Sequence, residues 1–240
     1  MNQTKLALQL SVMLNLQDEL NKKIHPEWHA QNFAWHRAIM DEVKEFMDHH
    51  GWKWWKKQFP DMAQCRLELI DIWHFLMSQH IQIVRSDKNI VSDGIFKDYL
   101  QNAIVVQEVF ASDNENADVL LMLDHLAVRS IDAGILDGNK LTSNLTAVGY
   151  FVRIMNALEL SFDDLYRFYV GKNVLNTFRQ DHGYKTGEYQ KNWADGREDN
   201  EHLTDILSAL DIEDPDYKDR VYEALLSEYP GDKASSLRMN

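Results

Sequence analysis

The sequence predicts an all-α protein, and three observations carry that prediction. Among 240 residues there are only 10 glycines and 4 prolines, too few turn-formers for a many-stranded β fold. Apolar residues recur at helical spacing over long stretches. Two acidic pairs, Glu42 with Glu45 and Glu68 with Asp71, stand three residues apart inside such stretches. That spacing places both members of a pair on one helix face. A hydrophobic content of 45% marks a globular chain, long enough for one large domain or two small ones.

Residues 4–24 read as the first helix, with Leu6, Leu10, Met13, Leu14, Leu20 and Ile24 at helical spacing. Gln17 lies seven residues from both Leu10 and Ile24, and Asn21 lies seven after Leu14. Both amides therefore sit on or beside the apolar stripe. Two readings stand: core-edge amides bonded to backbone, or a pair that reads the edge of a flat polar ligand. An amide offers both donor and acceptor, as a pyrimidine edge requires.

A second helix is predicted over 31–50, with Ile39, Val43, Phe46 and Met47 inward, and it carries Glu42 and Glu45. The segment 51–57 is rich in tryptophan and lysine. Six of the seven tryptophans lie between Trp28 and Trp73. Core and lid packing accounts for most of them; one of Trp52, Trp54 and Trp55 is a candidate to cover a base. The third helix, 62–84, surrounds Glu68 and Asp71 with Leu67, Leu69, Ile70, Ile72, Trp73, Phe75 and Leu76. A helix apolar on nearly all sides is buried, which sets this acidic pair apart from a solvated face.

The middle of the chain predicts three helices, centred on 95–110, 118–133 and 142–160. No chemistry is evident there, and the region is assigned to packing, movement or dimer contact. Ser161 and Asp164 form a capping-box start with Asp in place of Glu or Gln. The helix they open runs to about Gln180, with Gly183 as its stop. The irregular, glycine-punctuated segment 183–200 is expected to be mobile when empty and ordered by ligand. Two short helices close the chain, the last opening at Asp214-Pro215.

Two such helices packed face to face would gather four carboxylates, whose repulsion a hard divalent cation resolves. Mg²⁺ takes oxygen ligands and is usually completed by substrate phosphates. The expectation is a helical enzyme acting on a nucleotide or another polyphosphate. Lys172, Arg179, Lys185 and Lys191 fall within twenty residues, opposed there only by Asp181 and Glu188, in a chain of net charge −13. Lys172, Asn176 and Arg179 are spaced i, i+4, i+7, one face of a helix. This is the candidate phosphate face. The sequence has neither a Gly-x-x-x-x-Gly-Lys-Ser/Thr loop nor a dinucleotide glycine fingerprint, so metal and side chains must hold phosphate. The net charge disfavours nucleic acid and anionic membrane surfaces. The single cysteine, Cys65, excludes an internal disulfide and fits a reducing cytoplasm. No run of about 18 apolar residues suggests a membrane span, and the N-terminus lacks a signal-peptide pattern.

Glu42-x-x-Glu45 followed by Glu68-x-x-Asp71 resembles the signature of the all-α NTP pyrophosphatases, which include dimeric dUTPases, MazG-like enzymes and phosphoribosyl-ATP pyrophosphohydrolases. Further segments resemble the dimeric dUTPases specifically. They are Leu16-Gln-Asp-Glu-Leu-Asn21, Trp52-Lys-Trp-Trp-Lys56, Asp71-Ile-Trp-His-Phe75, and Lys172-Asn-Val-Leu-Asn-Thr-Phe-Arg179 running through Gly183-Tyr-Lys185 to Glu198-Asp-Asn200. The resemblance implies a multi-helix bundle with a rigid and a mobile part, a homodimer, and Mg²⁺-dependent hydrolysis of dUTP, and of dUDP, to dUMP. It implies a core of residues 1–86 and 161–240 with 87–160 as an insert. It also implies a site binding two or more Mg²⁺ ions through Glu42, Glu45, Glu68 and Asp71, with Glu42 or Glu45 handling the attacking water. Lys172, Arg179, Tyr184, Lys185 and Lys191 would face phosphate. Gln17 and Asn21 would read uracil, with Trp54, His74, Phe75 and Asn176 near base or sugar. The alternative activity is a broad-specificity, MazG-like NTP pyrophosphohydrolase.

Overall fold

The computed structural model describes residues 3–86, 118–136 and 138–230. Those residues form eight α-helices: α1 (Gln3–Ile24), α2 (Trp35–His50), α3 (Met62–Ser86), α4 (Val119–Ile135), α5 (Lys140–Ala157), α6 (Phe162–Asp181), α7 (Asp199–Ala209) and α8 (Tyr217–Glu228). The described residues contain no β-strand, and their pairing is limited to one isolated bridge, Asn192 with Glu198. The helix expected around 95–110 lies outside the described residues. The chain divides into two compact units, Met1–Tyr166 and Arg167–Asn240. Within the first unit α4 and α5 pack directly on α2 and α3.

In the first unit α2 pairs with α3, α4 pairs with α5, and the two pairs meet through α2–α4 and α3–α5 contacts. This closed set of four leaves α3 with a neighbour on almost every side, since α1 also lies on it. The all-round apolar character of α3 thus has a physical outlet: Leu69, Ile70, Ile72, Trp73, Leu76 and Met77 are all 0% exposed. Trp73 stacks on Phe151 of α5 at 4.7 Å. Polar groups fix the register of the same helix pair. Asn144, fully buried on α5, donates to Gln79 Oε1 (3.2 Å), and its Oδ1 pairs with His80 Nδ1 (3.0 Å).

Helix α2 begins four residues later than the periodicity predicts. Trp28 is fully buried and its indole N–H donates to Asp18 (3.0 Å). A 3₁₀ turn over Trp28–Ala30 follows from that anchor, and the chain leaves it extended at Gln31. Ile24, expected on the inner stripe of α1, is 42% exposed at the helix end. Gly51 closes α2 at φ +86°, a left-handed position natural to glycine. The Ser161–Asp164 capping box forms with its backbone donors satisfied on both sides (3.1 Å each). Helix α8 starts two residues beyond the expected Pro215, at Tyr217.

The second unit is small and builds its core from aromatic rings. Phe178 on α6 meets Tyr222 and Tyr229, each at 5.2 Å, and Tyr189 stacks on Tyr229 at 5.2 Å with the planes 7° apart. Helix α6 approaches α7 closely at Gly171. A Cβ there would lie 2.5 Å from Cδ1 and 3.1 Å from Cγ of Leu207, itself 1% exposed. Gly171→Ala is therefore expected to destabilise this unit by about 1–3 kcal/mol despite alanine's better helix propensity. Urea unfolding followed by tyrosine and tryptophan fluorescence checks it.

Candidate active site

The tight pairing of α2 with α3 brings Glu42 opposite Glu68 and Asp71. One carboxylate oxygen from each lies within 4.8 Å of the others. Glu42 and Asp71 are half-buried, and Glu68 is 9% exposed. Oxygens bound to one Mg²⁺ at about 2.1 Å stand roughly 3–4 Å apart. The three groups need to close by no more than about 1–2 Å to share a cation. The donor set is all carboxylate, which suits a hard cation. Among the described residues this is the one group of three acidic, histidine or cysteine side chains spaced to hold a metal. Glu45, one turn along α2, is exposed and lies outside the group.

One neighbour of this cluster was not singled out in the sequence. His49 places Nε2 3.6 Å from Glu68 Oε1. Its spacing of seven residues from Glu42, the same helix face, was the available signal. Asp48 is also near in sequence, but Lys44 (3.0 Å) and Lys53 (2.6 Å) pair with it. Hydrogen bonds from Lys53, Lys44 and Trp52 hold its carboxyl well below the usual range. Asp48 thus anchors the start of the tryptophan segment. Trp54 stands 89% exposed, packed edge-on against Trp55 at 5.5 Å.

Gln17 and Asn21 meet as their spacing predicts, with Gln17 Nε2 donating to Asn21 Oδ1 (3.1 Å). Both amide groups also donate to Ser78 Oγ at 2.9 Å, and that hydroxyl donates to the backbone oxygen of His74 (2.9 Å). All of these side chains are buried. Ser78, a buried hydroxyl on α3 seven residues after Asp71, joins α1 to α3 and was not singled out in the sequence. Phe75 is half-buried beside Trp35, with ring centroids 6.1 Å apart.

In the second unit Lys172, Asn176 and Arg179 share one face of α6 as predicted, but the charges are not bare. Lys172 is 4% exposed and donates to Asn200 Oδ1 (3.2 Å). Arg179 donates through Nε (2.8 Å) and Nη2 (2.9 Å) to Asp199, and through Nη1 to Asn176 (3.2 Å). Burial alone would weaken the guanidinium's charge, and the Asp199 carboxylate more than reverses that, raising its pKa. Lys191 pairs with Glu198 at 2.9 Å on the surface. Tyr184 and Lys185 are exposed on a 3₁₀ turn, with the Tyr184 ring 5.7 Å from the Arg179 guanidinium. Glycines 183, 187 and 196 occupy left-handed turn positions. They shape a hydrogen-bonded loop, so glycine content there does not by itself signal looseness.

The fold is an all-helical bundle in which the paired helices α2 and α3 present a three-carboxylate cluster. Comparison with known proteins agrees with that class: the model of the family described as dUTPase matches residues 9–184. This chain belongs to that family and is a dUTP-hydrolysing enzyme of the all-α type. No curated protein matches it. No helix among the described residues is long and apolar enough to cross a membrane.

Clustered carboxylates repel when no cation is present. Glu42→Gln and Glu68→Gln are each expected to raise the melting temperature in EDTA and to abolish most of the stabilisation that millimolar Mg²⁺ gives the unaltered chain. Thermal scans with and without Mg²⁺ measure both effects.

Proposed function

We propose that this enzyme hydrolyses dUTP, and dUDP, to dUMP in a Mg²⁺-dependent reaction, acting as a homodimer in the cytoplasm. The observation that carries the reading is the meeting of Glu42, Glu68 and Asp71 within 4.8 Å in a chain of the dUTPase family. Glu42, Glu68 and Asp71 would hold the metal, with Glu45 completing the set from the next turn of α2. Magnesium bound there would supply charge for the phosphate oxygens and acidify a water.

The chain's own residues do the rest. One glutamate of α2, Glu45 or Glu42, would also orient the attacking water or accept its proton. Lys185 and Tyr184 offer exposed donors to phosphate oxygens, and Lys191 exchanges its Glu198 partner for phosphate. Lys172 and Arg179, buried at the base of the same loop, contribute positive charge from behind. Gln17 and Asn21, tied to Ser78, present an oriented amide pair to the uracil edge. Trp54, His74, Phe75 and Asn176 are the further candidates for contact with base or sugar. Discrimination follows because a mismatched base edge would leave buried polar groups unpaired.

A substrate panel tests this reading. With Mg²⁺, dUTP should give dUMP, and its kcat/KM should exceed those of UTP, dTTP and dCTP by at least about 10²-fold. Comparable values across the panel would instead identify a broad-specificity, MazG-like pyrophosphohydrolase. Sedimentation analysis that finds only monomer would remove the homodimer from the proposal.

A further inference from the structure

Asp199 is 0% exposed, yet it carries a carboxylate. Burial of such a group is sustained only by full compensation, and three donors supply it. Nε and Nη2 of Arg179 reach its two oxygens at 2.8 and 2.9 Å, and the hydroxyl of Tyr189 donates to Oδ2 at 2.9 Å. Burial, then the adjacent Asp199 carboxylate, push the Tyr189 hydroxyl upward in pKa, so it remains a donor.

The positions of these partners in the chain give the cluster its meaning. Arg179 stands in the last turn of α6, Asp199 is the first residue of α7, and Tyr189 is midway between them. One buried side chain thus ties both ends and the middle of the loop that bears Tyr184, Lys185 and Lys191. The backbone agrees, since the N–H of Asp199 donates to the Lys191 carbonyl (3.0 Å) and that of Trp193 to the Arg197 carbonyl (2.8 Å). Asp199 takes the Nε edge of Arg179 and Asn176 takes one Nη1 donor. Three of the five guanidinium N–H groups are thereby committed and the plane is fixed.

We propose that Asp199 is a positioning residue for phosphate recognition: it fixes the Arg179 guanidinium and the Tyr184–Lys185–Lys191 loop in a preformed arrangement for the nucleotide's phosphate chain. The proposal rests on the reading of this loop as phosphate-binding. Its physical basis is preorganisation: a loop already ordered loses less entropy when it binds. The effect of losing Asp199 should therefore grow with the number of phosphates and be absent for a nucleoside.

Asp199→Asn keeps the shape and removes the charge, and Tyr189→Phe removes only one hydroxyl. Both are compared with the unaltered chain by calorimetric binding of deoxyuridine, dUMP, dUDP and a non-hydrolysable dUTP analogue, and by hydrogen exchange over residues 184–193. Asp199→Asn should speed exchange in that segment and weaken the analogue roughly tenfold or more, with less effect on dUMP and none on deoxyuridine. Tyr189→Phe should act in the same direction but less. In an Arg179→Ala background, Asp199→Asn should add little to the loss. Equal weakening of deoxyuridine and the analogue, with lost helical circular dichroism, would show a merely structural role and overturn the proposal. Unchanged exchange and affinity in both variants would overturn it as well. If the unaltered chain shows no gain in affinity with phosphate number, the phosphate reading of the loop fails; faster exchange in Asp199→Asn would still establish the pin.

Discussion

The burial of α3 is the constraint on which the rest of the first unit depends. A 25-residue helix with apolar side chains on nearly every side can persist only if other helices cover it. Helices α1, α2 and α5 do so. The two acidic residues of α3 are carried into that environment with the apolar ones. Glu68 and Asp71 then lie against α2, where the residue facing them is Glu42. An apolar core and a repulsive acidic cluster are two consequences of one packing arrangement. The free energy of burying the α3 side chains holds the carboxylates together in the absence of a cation. Helix packing alone thus brings the three carboxylates within reach of one another.

Much of this was legible because helical period and three-residue spacing are local. The boundaries of α1 and α3, the Ser161–Asp164 cap and the pairing of Glu68 with Asp71 follow from residues near each other in the chain. The start of α2 was not legible. Residues 31–34 contain no glycine or proline, and only the long-range anchoring of Trp28 on Asp18 turns the chain there. The distinction between Glu42 and Glu45 was likewise hidden. Spacing places both on one face, but which of them meets α3 is a matter of helix rotation, set by the burial of Ile39, Val43 and Phe46.

The basic loop shows the same limit from the electrostatic side. A charge count over residues 172–191 finds an excess of cations, yet the acids that pair with Arg179 and Lys191 are Asp199 and Glu198, just beyond that window. Sequence places charges on a face; it does not say which of them the fold neutralises. Tyr184, Lys185 and Lys191 are exposed, Lys191 while paired with Glu198. Arg179 and Lys172 are held inside the structure by Asp199 and Asn200.

The central claim is that dUTP hydrolysis depends on a cation shared by Glu42, Glu68 and Asp71. The most direct measurement is the rate of dUTP hydrolysis at saturating nucleotide, titrated with Mg²⁺ for the unaltered chain and for Glu68→Gln. The account requires no turnover in EDTA and a titration midpoint that moves at least about tenfold higher in Glu68→Gln, with a lower plateau. Superimposable titrations, or hydrolysis that persists without a divalent cation, would contradict it.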